Sequence, residues 1–401
     1  MIKVAVVAPT PAHLVLSDEV LKTRFRTEGR KKLHPVPWVR TLSRELSRHE
    51  DIQLRIFSHS RFVAHVAQGY KEGVHYTFVP KYESKKFDPY HLYLPALLQM
   101  LPLLRRFNPD LVHGFGMESA YGLLAVIQPR ARVVFIQGIV EELAPYYAIP
   151  KTKLAIQKRL ERLVVHRTDG LIAETDFAKR WALSVREDVP VKVIPHAYSG
   201  NFFNAKPCFS GRRVVCVGSL SEIKGVATAL AAFHQGVVHH AAAFHETELV
   251  FVGGGALQRV LEKQAERWGI SDRVTIRGHL GHDQIVEEMQ ASDLLVIASR
   301  MDTSPNVITE AHAVGIPVVG TCAGGIPDMI EEGKDGFLVP VDDVSAMAER
   351  MADLLQSREK RMAMGQAGRD KVHVLNDPVR VAEEHVEYYR EILEARKGRS
   401  N

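Results

Sequence analysis

Cysteine is almost absent from this sequence. Cys208, Cys216 and Cys322 are the three present in 401 residues, with neither metal-ligand spacing nor a redox pair. That argues against a disulfide-stapled scaffold or a cysteine-held zinc and fits a reducing compartment. Long hydrophobic runs are missing too. The nearest, residues 92–104 (LYLPALLQMLPLL), is broken by two prolines and a glutamine. It falls short of the roughly 20 residues a bilayer span needs, so it reads as a packed helix. The opening MIKVAVVAP reads as a buried strand without signal-peptide architecture, and a cytoplasmic location is expected. Low-complexity tracts and short-period repeats are absent. No D-x-D motif sits at an expected strand end, and no His/Asp/Glu cluster has metal spacing, so neither a metal nor a cofactor is expected. VGSLSEIKG (217–225) lacks the second glycine and following Ser/Thr of a Walker loop. VFVGGGALQRV (250–260) lacks the G-x-G-x-x-G spacing and the later acidic ribose ligand of a dinucleotide loop.

What is present is a soluble balance of 46% hydrophobic and 25% charged residues, long enough for two domains. Apolar, β-branched runs recur at 2–9, 51–59, 110–116, 132–138, 170–175 and 191–196. They recur again at 212–220, 248–254, 273–280, 293–299 and 316–322. Helix-length segments separate them, the pattern of parallel strands covered on both faces. The expected fold class is therefore α/β, two doubly wound Rossmann-like domains whose parallel sheets face a central cleft. The domains are read as 1–197 and 212–377, with 198–211 as linker. A terminal helix at about 378–397 places Ala382, Val386, Tyr389 and Leu393 on one stripe.

The densest motif is SRMDTSPNVITEAHAVGIPVVGTCAGGIPD (299–328). A strand runs into a loop holding Asp302 and Thr303. Ser304 is the expected N-cap, Pro305 the first helical residue, and Gly315 the stop. The amides of Asn306 and Val307 then face a ligand at the positive end of the helix, which suits a pyrophosphate. Glu310 lies about one and a half turns further on.

With these residues the sequence resembles the retaining GT-B glycosyltransferases of group 1, which include glycogen-synthase-like and mannosyltransferase-like nucleotide-sugar transferases. The match is an acid, seven residues, a Glu, then a G-x-P-V-V strand and a Gly-Gly turn: Asp302, Glu310, GIPVV and Gly324-Gly325. The resemblance implies that Glu310 binds the ribose and that Asp302 holds the donor sugar. It further implies that Lys224 neutralises the leaving diphosphate, that Arg277-Gly278 hold the base through backbone groups, and that the terminal helix at about 378–397 packs back on the first domain. Four positions depart from the family pattern. Asp302 stands for Glu, Pro305 for Gly, Ser219 for the diphosphate Arg, and Gln137 (in FIQG) for a strand-end His. Gln137 can donate to a hydroxyl or phosphate but cannot serve as a base. In this reading Lys224, Asp302 and Gln137 are the catalytic candidates. Glu310, Ser219, Thr303, Ser304, Asn306, Val307, Arg277 and Gly278 are donor-binding candidates, and His113 and His196 are acceptor or cleft candidates.

The nucleotide sugar is then a co-substrate, and the acceptor a glycan, lipid or small molecule. Residues 1–200 hold 30 Lys and Arg against 19 Asp and Glu, whereas the rest hold 22 against 28. The basic segments 24–32, 81–86 and 151–167 raise peripheral contact with an anionic inner membrane face, against the plainer reading of a charged outer surface. Nucleic acid is not an expected partner, since no reading motif is present. An epimerase or phosphorylase on the same fold, and a non-catalytic binding subunit, remain the alternatives.

Overall fold

The computed structural model describes residues 1–17, 19–21, 37–81, 93–147, 149–198 and 200–398. The chain divides into two compact units, Met1–Tyr198 with Asn376–Asn401, and Ser199–Leu375.

The first unit is built on eight strands: β1 (Ile2–Val7), β2 (Ile52–Ser60), β3 (Ala67–Lys71), β4 (Val74–Pro80), β5 (Leu111–Phe115), β6 (Ala131–Phe135), β7 (Gly170–Ala173) and β8 (Val191–Val193). Their order is β3-β4-β2-β1-β5-β6-β7-β8. Neighbours run parallel except β3, which pairs antiparallel with β4 at the edge. Side chains alternate across the sheet. Val4 and Val6 therefore join a core with Leu42 and Leu46 of the helix Pro37–Arg48 and Val381 and Tyr389 of the helix Pro378–Gly398. Ala5 and Val7 join the opposite core, with Met100 and Leu104 of the helix Leu94–Phe107 and Val164 of the helix Lys151–Arg167.

The second unit holds six parallel strands in the order β11-β10-β9-β12-β13-β14. They are β9 (Arg213–Val217), β10 (Glu248–Val252), β11 (Val274–Ile276), β12 (Leu294–Ile297), β13 (Val318–Thr321) and β14 (Gly336–Val339). One face packs on the helices Val226–His239 and Val344–Gln356, the other on the helix Asn306–Val314. Both sheets are doubly wound. Chain order reverses between β1 and β5 in the first and between β9 and β12 in the second. Ligands of such sheets bind beyond the carboxyl ends at these reversals.

Several local expectations change. Strands β3, β4 and β14 were not anticipated. VHYTFVP mixes histidine, threonine and aromatics into its run, and GFLV is four residues long, so neither offers a continuous aliphatic signal. The segment 198–211, read as a linker, contains the short helix Asn201–Asn204, and Phe202 and Ala205 are buried in the core of the second unit. Ser304 is not the N-cap. Pro305 occupies that position in an extended conformation, without a side-chain cap, and helix begins at Asn306. One residue further out, the Ser304 hydroxyl lies 3.7 Å from the Met329 sulfur instead. Lys224 ends the 3-10 turn Glu222–Lys224, just ahead of the helix Val226–His239.

Candidate active site

The loops leaving β9 and β12 straddle the reversal of the second sheet, and they touch backbone to backbone. Arg300 N donates to Ile223 O at 2.8 Å. Gly225 has a φ of 58°, and a Cβ there would lie 1.8 Å from Ala298 O, so a larger residue would push the two loops apart. This close approach sets Lys224 beside Asp302, with Nζ 2.5 Å from Oδ2. Asp302 is fixed from its other side by the Gly-Gly turn. Gly325 N donates to Asp302 O at 2.9 Å, and a Cβ on Gly324 would fall 2.0 Å from that oxygen.

Lys224, Gly218, Ser299 and Val307 line one small cavity. Ser299 is fully buried, and its hydroxyl has no hydrogen-bond partner among the described residues. Val307 and Asn306 form the first turn of the helix that ends at Gly315, so its positive end adjoins Lys224. Thr303 is buried in the loop before it. Glu310 lies on the same helix, and burial pushes its carboxyl up to about 7. A carboxyl so placed gains from hydroxyl donors that replace lost water.

Around the rim, Ser219 Oγ lies 2.9 Å from Ser221 Oγ. Leu220 N donates to Gly254 O at 3.1 Å, and Gly253 N to Gly278 O at 2.8 Å. The glycine-rich turn thus ties the 218–220 loop to the end of β11. The Arg277 side chain pairs with Glu288 at 3.0 Å.

In the first unit Gln137 follows β6, and its side-chain oxygen and those of Glu118 close on the space that a Cβ at Gly116 would occupy. Glu118 is pushed up to about 7 and Glu161 to about 8, both chiefly by burial. Val140 N donates to Glu161 at 2.7 Å. His113 lies within β5, fully buried, with Nδ1 2.7 Å from the Tyr389 hydroxyl; burial and the nearby His385 hold its pKa well below 6.5. His196 pairs with Glu174 at 2.6 Å and stacks between Trp38 and Phe135. Both histidines tie elements of the first unit together. Among the described residues no three His, Cys, Asp or Glu side chains are grouped to hold a metal.

Two family models match, together spanning most of the chain: "Glycosyl transferases group 1" over residues 210–371 and "Glycosyltransferase Family 4" over residues 36–199. The chain belongs to the group 1 glycosyltransferases. A curated relative is the GDP-mannose-dependent alpha-(1-6)-phosphatidylinositol monomannoside mannosyltransferase of Mycobacterium tuberculosis. It is 28% identical over 271 residues, covering 62% of this chain and 68% of the relative. The fold is GT-B. Sucrose-phosphate synthase of Thermosynechococcus elongatus superposes with a TM-score of 0.76 at 18% identity, over 98% of this chain and all of that one. HepE of Anabaena, solved with UDP-glucose, superposes with a TM-score of 0.70 at 16% identity, over 98% and 100% of the two chains.

In this glycosyltransferase three site features escaped the sequence reading: Ser299, Glu118 and Glu161. Ser299 could have been found as the polar residue closing the apolar run LLVIAS. The two glutamates carry no such signal, because their burial depends on tertiary packing. The helix Lys151–Arg167 buries Leu160, Val164 and Val165 in its own unit, so this apolar face is not a lipid-facing one. Segment 24–32, and 81–86 beyond Lys81, lie outside the described residues. No helix among those described is long and apolar enough to cross a membrane.

Proposed function

We propose that this glycosyltransferase moves a hexose-type sugar from a nucleotide-sugar donor, with retention and without a metal, to a glycan, lipid-linked or small-molecule acceptor. The observation that carries the reading is the contact of Lys224 with Asp302 at the β9/β12 reversal, beside the amino end of the helix that bears Glu310. An ammonium and a positive helix end at one point suit a diphosphate, and both act where the leaving oxygen gains charge. They supply the positive field that a divalent ion provides in other transferases. Asp302 holds the ammonium in place before the donor arrives, and its free acceptor oxygen is available to sugar hydroxyls. Glu310 is set to accept from the ribose. Retention fits a site whose polar groups surround the leaving phosphate, which can take the acceptor proton itself. Thr303, Ser304, Asn306, Val307, Ser219, Arg277 and Gly278 complete the donor pocket in this reading, and Gln137 is the candidate that the first unit offers.

The test is a thermal-shift screen against UDP-, GDP- and ADP-sugars, with Glu310→Ala alongside. One donor class should stabilise the wild type and lose most of that effect in the variant. Equal stabilisation of both proteins would overturn the ribose assignment. The anomeric configuration of the product, read by NMR, and activity after chelation test retention and metal independence.

A further inference from the structure

Strand β2 departs from its neighbours. In a parallel sheet both faces are normally apolar, yet Gln53 and Arg55 alternate with the buried Ile52, Leu54 and Ile56. The register shows what this polar face is for. Lys3 lies opposite Gln53, Phe57 opposite Thr77, and Thr77 opposite Gln68, so all of these side chains stand on the same side of the sheet. Together with Arg106 and Phe107, from the last turn of the helix Leu94–Phe107, they line a groove of about 520 Å³. It lies towards the amino ends of β1 and β2, away from the carboxyl ends where such sheets bind their usual ligands.

The charge in this groove is one-sided. Lys3, Arg55 and Arg106 line it and no carboxylate does. None of the three cations makes an ion pair among the described residues, although many other Lys and Arg in the chain do. The Arg55 guanidinium sits over the Phe107 ring, 5.0 Å from its centroid. Such stacking restricts the guanidinium and leaves its N–H edge available. Thr77 and two carboxamides add neutral donors around it.

We propose that this groove is a second ligand site, specific for a phosphoryl group on a small molecule or a lipid headgroup. Three converging cations match the charge of a phosphate, and a guanidinium edge matches its oxygens bidentately. The room exceeds one phosphate and lies within the usual range for small-molecule pockets. Phe57, Leu103 and Phe107 offer an apolar wall to the remainder of the ligand. Nothing in the proposal depends on the donor site of the second unit.

The experiment is calorimetric titration of the full chain with inorganic pyrophosphate, in wild-type and Lys224→Ala backgrounds, so that any phosphate contact at Lys224 is separated. Arg55→Gln and Arg106→Gln should each weaken binding by about tenfold in both backgrounds, the effect of losing one charge-assisted contact. Arg106 is exposed, so its variant keeps the test open if Arg55→Gln fails to fold. Arg105→Gln removes an equal charge from the same helical turn outside the groove and should change nothing. UDP binding should be unaffected by all three. Phosphatidylcholine vesicles with and without phosphatidylglycerol form the second arm. Co-sedimentation that requires phosphatidylglycerol and is lost in Arg55→Gln, without pyrophosphate binding, assigns the phosphoryl group to a headgroup and supports the site. A loss in Arg105→Gln as large as in Arg55→Gln, or no response to either probe, overturns it.

Discussion

At the scale of single residues, function rests on groups whose neighbours give them unequal tasks. Lys224 faces Asp302 in the free protein, so its replacement should affect the transition state more than the ground state. Lys224→Ala is expected to lower kcat by about 10²–10³-fold, with a smaller change in donor affinity; steady-state kinetics beside calorimetry checks this. Glu310 gives a prediction about protons. Its carboxyl is raised to about 7, so at neutral pH a substantial fraction is protonated. Ribose hydroxyls donating to the ionised form would pull the pKa down, and donor binding near pH 7 should release protons. Calorimetry in buffers of different ionisation enthalpy measures that release, and Glu310→Gln should abolish it. Glu161, raised to about 8, acts on stability. A raised acid favours the folded state fully below its unfolded value near 4.5, and that contribution is lost as pH climbs through 8. Glu161→Gln keeps the acceptor for Val140 N and should flatten the alkaline fall in Tm. Asp302 and Glu310 were readable as a spaced motif because they lie within one strand–loop–helix unit, and Lys224 from the separate segment that follows β9. Glu118 and Glu161 were not, since a glutamate acquires an unusual pKa only from what packs over it.

Among the elements, the loops do the positioning. The Gly324-Gly325 turn presses on the carbonyl of Asp302, and Gly324 adopts a φ of 56°. Gly324→Ala should therefore displace the 302 loop and lower stability by about 1–3 kcal/mol. Donor-induced stabilisation should fall with it, and thermal denaturation with and without nucleotide reads both effects. Strand positions were largely legible, because long runs such as IKVAVV and RVVCV can only be buried on both faces. Strand β4 was not, because its aromatics and threonine satisfy the pleated surface without a V/I/L run. The start of the 306–314 helix was misplaced by one residue for a similar reason. Ser-Pro is a good opening pair, but Pro305 remains extended and serves as the cap itself.

Considered as a whole, the chain places its last helix with its first strands. Tyr389 binds His113 of β5, and Val381 and Val386 lie in the core that contains Val4 and Ile56. Tyr389→Phe would leave a buried imidazole nitrogen without its partner, at a cost of about 1–3 kcal/mol. Hydrogen exchange should quicken in β5 and in the helix Pro378–Gly398 while β9 to β14 keep their protection. The terminal apolar stripe was legible from its spacing, whereas its return to the first domain was expected from the family resemblance, because a stripe alone does not name the sheet that receives it.

The same topology separates the order of synthesis from the order of folding. All of the second unit has been translated once Leu375 is added, and it can fold from contiguous sequence. The first unit, although made earlier, lacks the Val381–Tyr389 side of its core until the final residues emerge. For the interval of some 180 residues between Tyr198 and Asn376, an aliphatic face of a nascent sheet is covered only in part, by the helix Pro37–Arg48. Such a face is prone to association and is a natural client for chaperones. Expression yield, more than the stability of the finished protein, is where slowed or truncated translation of the tail should tell.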